Sequence, residues 1–176
     1  MHELVLEKSQ PHEDIESLTI KGYGGKNFPL WLTDSNSLSS IVSICLKQCT
    51  QCSSLPPFGQ LPSLKHLEIE GLDLGVEFYS KDPFQTLETL TTEWSPGWSK
   101  WMDEYCAICL DSFVDGSKVR MLVKCKHVFD AYCVDVWVQM LRHPCCPICK
   151  QPFVPPTTHK VRGSRAIRTS AHASSS

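Results

Sequence analysis

Hydrophobic residues in the first half of the chain recur at a nearly fixed interval. Leu18, Ile44, Leu67 and Leu90 each lie at the centre of an alternating apolar pattern, with intervals of 26, 23 and 23 residues. Strict alternation predicts a short strand in each unit. Spacings of about 20–29 residues are typical of proteins in which one strand per repeat stacks on the next. Residues 1–103 are therefore predicted to form about four repeats of a short solenoid.

The second half of the chain changes to helical spacing. Between Ala131 and Arg142 the apolar residues fall on one helical face, which predicts an amphipathic helix; they are Cys133, Val136, Trp137, Met140 and Leu141. Three phenylalanines in the flanking sequence, Phe113, Phe129 and Phe153, are expected to fill the small space between two metal ions bound by the same segment. Repeat strands followed by a compact segment with a helix indicate an α+β chain.

Charge divides the chain at about the same place. Residues 1–104 carry 7 Lys/Arg and 15 Asp/Glu (7 − 15 = −8), whereas residues 105–176 carry 10 and 4 (10 − 4 = +6). Such asymmetry indicates two modules of separate origin. We therefore divide the chain into a repeat segment (1–103), a cysteine-rich segment (104–154) and a basic tail (155–176). The tail, rich in Pro, Ser and Arg, is predicted to be disordered, either as a nuclear signal or as a plain solvated tail.

Ten cysteines in 176 residues would suggest disulfides in a secreted protein. The first 14 residues are charged and show no secretory signal. No apolar run approaches the roughly 18 residues that a membrane span requires, and no membrane partner is expected. The cysteines are therefore interpreted as metal ligands in a reducing compartment, and a cytoplasmic or nuclear location is predicted.

Four short pairs of potential ligands lie between residues 106 and 149. They are Cys106 with Cys109, Cys125 with His127, Asp130 with Cys133, and Cys146 with Cys149. Eight ligands can hold two tetrahedral Zn²⁺ ions, each closed by four protein groups and therefore structural. In a segment of this size, metal binding and folding are expected to be one event.

This order of ligands, with Trp137 four residues after Cys133 and Pro147 after Cys146, resembles a RING finger. The similarity is to the two-histidine class found in RING-type ubiquitin ligases, and it covers about residues 104–154. The resemblance implies that the pairs are interleaved between two zinc ions. The first zinc would be held by Cys106, Cys109, Asp130 and Cys133, and the second by Cys125, His127, Cys146 and Cys149.

Asp130 departs from the pattern of this class, which has histidine at that position. A carboxylate oxygen can bind zinc, so a Cys₃Asp site is chemically possible. Its formal charge is 2 − 4 = −2, against −1 for Cys₃His. The alternative is that Asp130 is a surface acid and the first site is incomplete. Weaker metal retention than in the family is expected in either case.

RING ligases, as the resemblance implies, contain no catalytic residue but hold a ubiquitin-loaded conjugating enzyme in a reactive geometry. Carried over position by position, the contact surface comprises Ile108, Trp137, Pro147 and Lys150. Two alternatives stay open: Ile108 and Trp137 could simply close the core, and Lys150 could be an ordinary surface cation. Where the family often has arginine, Lys150 keeps the charge but lacks the planar fork of donors.

The repeat segment also resembles a known family. The stretches LTIKGYGGKNFPLWL, CSSLPPFGQLPSLKHLEIEGL and WSPGWSKW are similar to the leucine-rich repeats of plant nucleotide-binding disease-resistance proteins. The resemblance implies a recognition surface used in plant immunity. Within the repeats, Cys49 is expected to bond turning backbone, and His66 is expected on a solvated face. No Gly-x-x-x-x-Gly-Lys-Ser/Thr loop is present, so a nucleotide switch is not predicted.

The leading functional hypothesis is a RING-type ubiquitin ligase, and the resemblance of the repeats implies a role in plant defence. Its partners would be a ubiquitin-conjugating enzyme, ubiquitin and a protein target chosen by the repeats. The alternative is a catalytically inactive zinc-binding interaction module fused to a truncated disease-resistance fragment. Nucleic-acid binding is not expected, because the ligand order is not that of a DNA-reading finger.

Overall fold

The protein contains a seven-stranded mixed sheet and a helix packed beside one end of it. The computed structural model describes residues 6–32, 34–52, 54–72, 86–96, 103–141, 144–156 and 164–168. The elements are β1 (Ser17–Lys21), β2 (Ser43–Lys47), β3 (His66–Glu70), β4 (Thr89–Glu93), β5 (Lys118–Leu122), β6 (Val128–Asp130), α1 (Ala131–Gln139) and β7 (Ser164–Arg168). Short 3₁₀ turns lie at Leu30–Leu32 and Phe58–Gln60.

The four predicted repeat strands are present and pair side by side in parallel. Leu18 lies opposite Ile44, Ile44 opposite Leu67, and Leu67 opposite Leu90. All four side chains are buried, so the repeated position read from the sequence is one continuous apolar row in the core. Cys49 is buried as well, and its thiol donates to the carbonyl of Lys47 at 3.5 Å, as expected for a residue that bonds turning backbone.

The sheet does not end with the repeats. Its order is β6-β5-β4-β3-β2-β1-β7, and β5 pairs with β4 in the antiparallel sense, from Thr89 opposite Leu122 to Glu93 opposite Lys118. The cysteine-rich segment therefore continues the repeat sheet directly. This topology gives a mixed sheet with a helix; it does not by itself establish a solenoid, which stays a prediction. In the described part of the chain, α1 falls far short of the length needed to cross a bilayer.

The tail differs from its prediction at five residues. Ser164–Arg168 forms β7 and pairs in parallel with β1 at the opposite edge of the sheet. Ile167 lies opposite Ile20 and is buried, so an apolar contact accompanies the backbone pairing. A stretch of five residues is too short for its apolar pattern to predict a strand. The sequence also does not show that the edge of β1 is available for pairing. Disorder is therefore not the state of these five residues; 157–163 and 169–176 lie outside the described residues.

Helix α1 is shorter than predicted. It ends at Gln139 rather than Arg142, and Met140 is its C-terminal cap. Met140 is 76% exposed, so this residue does not belong to the buried face on which the sequence pattern placed it. Phe113, Phe129 and Phe153 are all buried; their position between two metal ions stays a prediction.

A buried arginine joins the repeat sheet to the helix. The Arg120 side chain projects from β5, and its Nε donates to the hydroxyl of Thr91 on β4 at 2.9 Å. Its Nη1 donates to the carboxylate of Asp135 on α1. Arg120 is only 8% exposed, whereas the Asp135 side chain is 35% exposed, so the hydrogen bond to Thr91 is buried and the ion pair is partly buried. Two further ion pairs cross the same junction nearer the surface, Lys118 with Glu68 and Lys124 with Glu88, each at 2.6 Å.

His66 lies in this buried region rather than on a solvated face. It is 7% exposed, and its Nδ1 is 3.0 Å from the hydroxyl of Thr89. The cysteine-rich segment covers this side of the sheet, which the repeats alone could not indicate. Burial, reinforced by the positive charge of Arg120, lowers the pKa of His66 to about 4, although Glu88 acts in the opposite direction.

Replacing Arg120 with alanine should destabilise the protein strongly, because the Asp135 carboxylate and the Thr91 hydroxyl would lose their partner. Breaking a fully buried charge pair costs about 3 kcal/mol or more, and because the Asp135 side chain is 35% exposed we expect a loss of about 2 kcal/mol here. Lys118→Ala is the matched control, since it removes a more exposed pair on the same strand and should cost less than about 1 kcal/mol. Urea unfolding of the zinc-loaded variants measures both values. Equal losses of unfolding free energy would contradict a structural role for the buried pair.

The buried histidine predicts a specific loss of stability in acid. The pKa of His66 is about 4 in the folded protein and about 6.5 in the unfolded chain, so the unfolded chain binds more protons between these values. The free energy of unfolding should therefore decrease as the pH is lowered, by about 2 kcal/mol between pH 7 and pH 5. The same titration of His66→Gln should lack this component, while losses due to the metal ligands cancel in the comparison. Parallel pH profiles would show that His66 titrates freely.

Candidate metal centres

One complete set of four metal ligands comes together at the end of the sheet. The ligand atoms of Cys125, His127, Cys146 and Cys149 all lie within 4.8 Å of one another. Cys125 and His127 belong to the turn between β5 and β6, whereas the other two belong to a turn beyond α1. Three thiols and an imidazole in this arrangement fit a structural Zn²⁺ ion. We call this set the four-ligand cluster; its membership is the one predicted for the second zinc.

The other set contains three ligands rather than four. The sulfurs of Cys106, Cys109 and Cys133 lie within 4.8 Å of one another, and we call them the three-cysteine cluster. Cys106 is buried, Cys133 is half-buried and Cys109 is exposed, so the cluster opens toward solvent. Asp130 was predicted as its fourth ligand. The structure does not bring the Asp130 carboxylate into this group.

The Asp130 carboxylate instead caps the helix. Its Oδ1 accepts hydrogen bonds from the backbone N–H groups of Tyr132 at 2.9 Å and Cys133 at 3.1 Å. Aspartate is among the preferred N-cap residues, because a helix start leaves such N–H groups without partners. The sequence contained this signal: Asp130 directly precedes the predicted helix.

Two cysteine turns with the same backbone geometry build the clusters. In the first, the N–H of Leu110 donates to the carbonyl of Cys106 at 2.7 Å; in the second, the N–H of Lys150 donates to that of Cys146 at 3.0 Å. Leu110 and Lys150 both adopt positive φ, 67° and 63°. Each turn is also closed by a short bridge between its flanks, Tyr105 with Ser112 and Cys145 with Pro152. The repeated motif Cys-x-Ile-Cys thus encodes one structural unit used twice.

Backbone N–H groups of these turns favour one thiolate in each cluster. Although burial raises the pKa of Cys106, hydrogen bonds from the backbone of Cys109, Ile108 and Asp130 outweigh it and lower that pKa. The backbone of Gln151 likewise lowers the pKa of Cys149. Burial raises the pKa of Cys125 and of Cys133 to about 12 in each case. Since zinc binds thiolates, metal uptake should release protons from these two residues.

Three of the four predicted contact residues converge beside the four-ligand cluster. The indole Nε1 of Trp137 donates to the carbonyl of Cys145 at 2.9 Å. The Lys150 ammonium lies 5.2 Å from the centre of the Trp137 ring and donates to the carbonyl of Pro147 at 2.7 Å. The indole is partly buried rather than fully enclosed in the core. Trp137, Pro147 and Lys150 therefore form one continuous patch.

The fourth predicted contact, Ile108, is partly buried and packs against the core. Its equivalent in the second cysteine turn, Ile148, was not predicted and is 44% exposed. Leu110, also not predicted, is 74% exposed. The signal for Ile148 was present in the repeated Cys-x-Ile-Cys motif, in which both isoleucines occupy the same place.

Two protein-family models match separate parts of the chain. Residues 1–72 match the model described as R13L1/DRL21 LRRs, and residues 104–150 match the model described as Ring finger domain. Both resemblances are confirmed. The RING segment, as residues 104–150 are called from here on, contains all seven residues of the two clusters.

Known proteins resemble one half of the chain or the other. "Putative disease resistance RPP13-like protein 1" of Arabidopsis thaliana is 45% identical over 112 residues, which cover 56% of this chain and 10% of that protein. "RING-H2 finger protein ATL10" of the same plant is 44% identical over 62 residues, covering 35% and 24%. "Probable E3 ubiquitin-protein ligase RHA1A", also from Arabidopsis, is 42% identical over 53 residues, covering 30% and 33%.

The chain thus spans a tenth of the disease-resistance relative and between a quarter and a third of the two RING relatives. The cysteine and histidine chemistry of the RING segment is consistent with two zinc ions, one for each cluster.

The positive φ of Leu110 predicts a stabilising substitution. A side chain in the left-handed region costs roughly 1–2 kcal/mol, whereas glycine adopts that conformation freely. Leu110 is 74% exposed, so little packing would be lost. Leu110→Gly should therefore be more stable than Leu110→Ala by about 1 kcal/mol. Thermal unfolding of the zinc-loaded variants tests this, and a Gly variant no more stable than the Ala variant would argue against the turn geometry.

Proposed function

We propose that this chain is a RING-type ubiquitin ligase that recruits a ubiquitin-conjugating enzyme. The observation that carries the proposal is the patch formed by Trp137, Pro147 and Lys150 beside a complete four-ligand cluster. The match of the RING segment to the ring finger model, and its similarity to a protein named as an E3 ubiquitin-protein ligase, support it.

The patch has the chemistry of a small docking site. The indole is fixed through its hydrogen bond to Cys145, so its ring presents a preordered apolar face, and aromatic anchors of this kind dominate many interfaces. Ile148 adds exposed aliphatic surface from the same turn as Pro147 and Lys150, and Lys150 adds a cation. Helix α1 holds Trp137, and the second cysteine turn holds the other three side chains. A bound conjugating enzyme would therefore meet a surface that needs little rearrangement.

No residue of the patch has to act as an acid, a base or a nucleophile. In the proposed function the chain contributes by restricting a ubiquitin conjugate to geometries in which a substrate lysine can attack. The zinc ions, held by the two clusters, would supply structural bracing alone, because protein groups surround the metal in the four-ligand cluster. Ubiquitin and its conjugating enzyme are the expected partners.

The repeat segment is proposed to select the protein target, and its similarity to disease-resistance relatives supports a role in plant defence. A solenoid with a recognition surface belongs to the same proposal. The cytosol or the nucleus is the proposed location, since ten free cysteines favour a reducing compartment.

Ubiquitin-chain formation by the purified, zinc-loaded chain with several conjugating enzymes tests the proposal. Trp137→Ala and Ile148→Ala should each lower the rate by about tenfold or more, because they remove anchors of the patch. Tyr132→Ala is the matched control: its ring is 75% exposed on the same helix, but it lies about 140° around the helix axis from Trp137. This control should change the rate less than twofold by the same reasoning.

The zinc content of each variant, measured by native mass spectrometry, separates loss of docking from loss of folding. A wild-type chain that binds two zinc ions but forms no ubiquitin chains would overturn the ligase proposal. That result would favour an inactive zinc-binding interaction module attached to a disease-resistance repeat fragment.

A further inference from the structure

We propose that the three-cysteine cluster holds its metal ion through Cys106, Cys109 and Cys133 alone. The remaining coordination position would then be open to a small exogenous donor, such as water, an imidazole or a low-molecular-weight thiol. This inference concerns metal binding by the RING segment and does not depend on ligase activity.

The first support is the position of the Asp130 carboxylate. Ligand atoms on one tetrahedral zinc ion are separated by roughly 3.5–3.8 Å, given the usual metal–sulfur and metal–oxygen distances. The three sulfurs lie within 4.8 Å of one another. Asp130 is a described residue, but its carboxylate oxygens are not within that distance of all three sulfurs. The same fold brings together the other seven predicted ligands, three in one cluster and four in the other. Only the Asp130 carboxylate lies outside its predicted cluster.

The second support is the alternative role that Asp130 has. One carboxylate oxygen accepts two backbone N–H groups at the start of α1, from Tyr132 and Cys133. Rotation of the side chain toward the sulfurs would leave both N–H groups without this partner. Cys133 is itself a ligand, so the capping bond also fixes the backbone that presents its thiol. Asp130 thus supports the cluster as a positioning residue.

The Asp130 backbone makes the direct contribution to the cluster. It is among the groups that lower the pKa of Cys106, against the effect of burial. The side chain and the backbone of one residue therefore serve two different purposes, and neither requires the carboxylate on the metal.

Charge points in the same direction. Zinc with three thiolates has a formal charge of 2 − 3 = −1, which equals the value for a Cys₃His site. Addition of the carboxylate would raise the negative charge to −2 without another cation in the ligand set. A neutral exogenous donor completes the tetrahedron and leaves the charge unchanged.

Exposure makes the open position reachable. Cys109 is exposed and Cys133 is half-buried, so a small molecule can approach the cluster from solvent. Three protein ligands with one exchangeable position is the arrangement found in zinc sites that accept an outside ligand. The metal in this cluster should consequently exchange faster than the metal in the four-ligand cluster of the same molecule.

Cobalt substitution of the full chain provides the test. Co²⁺ is added to metal-free protein, and the ligand-field and thiolate charge-transfer bands are followed as imidazole is titrated in. Wild type is compared with Asp130→Asn and Asp130→Ser, which keep a capping oxygen but remove the carboxylate, and with Asp130→His, which supplies a fourth protein ligand. The four-ligand cluster in each molecule serves as an internal reference.

The proposal expects wild type, Asp130→Asn and Asp130→Ser to bind two ions with affinities that agree within threefold. Imidazole should shift the spectrum of all three. Asp130→His should bind the ion of the three-cysteine cluster at least tenfold more tightly than wild type does, and imidazole should not shift its spectrum. The proposal is overturned if Asp130→Asn and Asp130→Ser both lose one ion or bind it at least tenfold more weakly, or if wild type binds a single ion. A wild-type spectrum that is indifferent to imidazole would also overturn it.

Discussion

The antiparallel pairing of β4 with β5 is the interaction on which the architecture depends. A row of parallel strands has an open edge after its last member, and exposed edges recruit other strands. Here that edge is occupied by the first strand of the RING segment, so backbone hydrogen bonds run without interruption from the repeats into the zinc-binding half. β4 is buried at four of its five positions as a consequence.

Polar side chains are buried on the strands next to this β4–β5 pairing. Thr89, Thr91 and His66 are polar, yet all three are buried there. Buried polar groups are tolerated only when they find partners. Arg120 is such a partner, since it satisfies Thr91 on one side and Asp135 on the other. One long side chain thus couples a repeat strand, the RING sheet and the RING helix.

Sequence reasoning succeeded where a pattern specifies a local structure. The apolar row from Leu18 to Leu90 was predictable because alternation and period together determine both the strand and its register. The four-ligand cluster was predictable because thiols and imidazoles at short spacings have few other uses in a reducing compartment. The two cysteine turns follow from the same logic, although the equivalence of Ile108 and Ile148 had to be recognised to identify the exposed aliphatic side chain of Ile148.

It failed where two distant segments meet or where one side chain can choose between partners. His66 was placed on a solvated face, because nothing within the repeats shows that a later segment covers it. β7 was missed, since five residues with a single large apolar side chain, Ile167, become a strand only when an edge such as β1 pairs with them. Asp130 was predicted as a zinc ligand by analogy with histidine, with a surface acid as the alternative, and the structure places its carboxylate at the start of α1. Imidazole has no strong preference for a helix start, whereas a carboxylate does.

The β4–β5 junction would also affect how a ligase of this architecture works. Asp135, which Arg120 ties to the repeat sheet, lies two residues before Trp137 on a helix of nine residues. A short helix fixed at that point cannot turn its docking surface independently of the repeats. In the proposed function, a target bound by the repeats and a conjugating enzyme bound at Trp137 would then be held at a set separation rather than joined by a tether. Fixed separation raises the effective concentration of lysines at the right distance and excludes the others. The choice of lysine would therefore depend on the β4–β5 junction as much as on either binding surface.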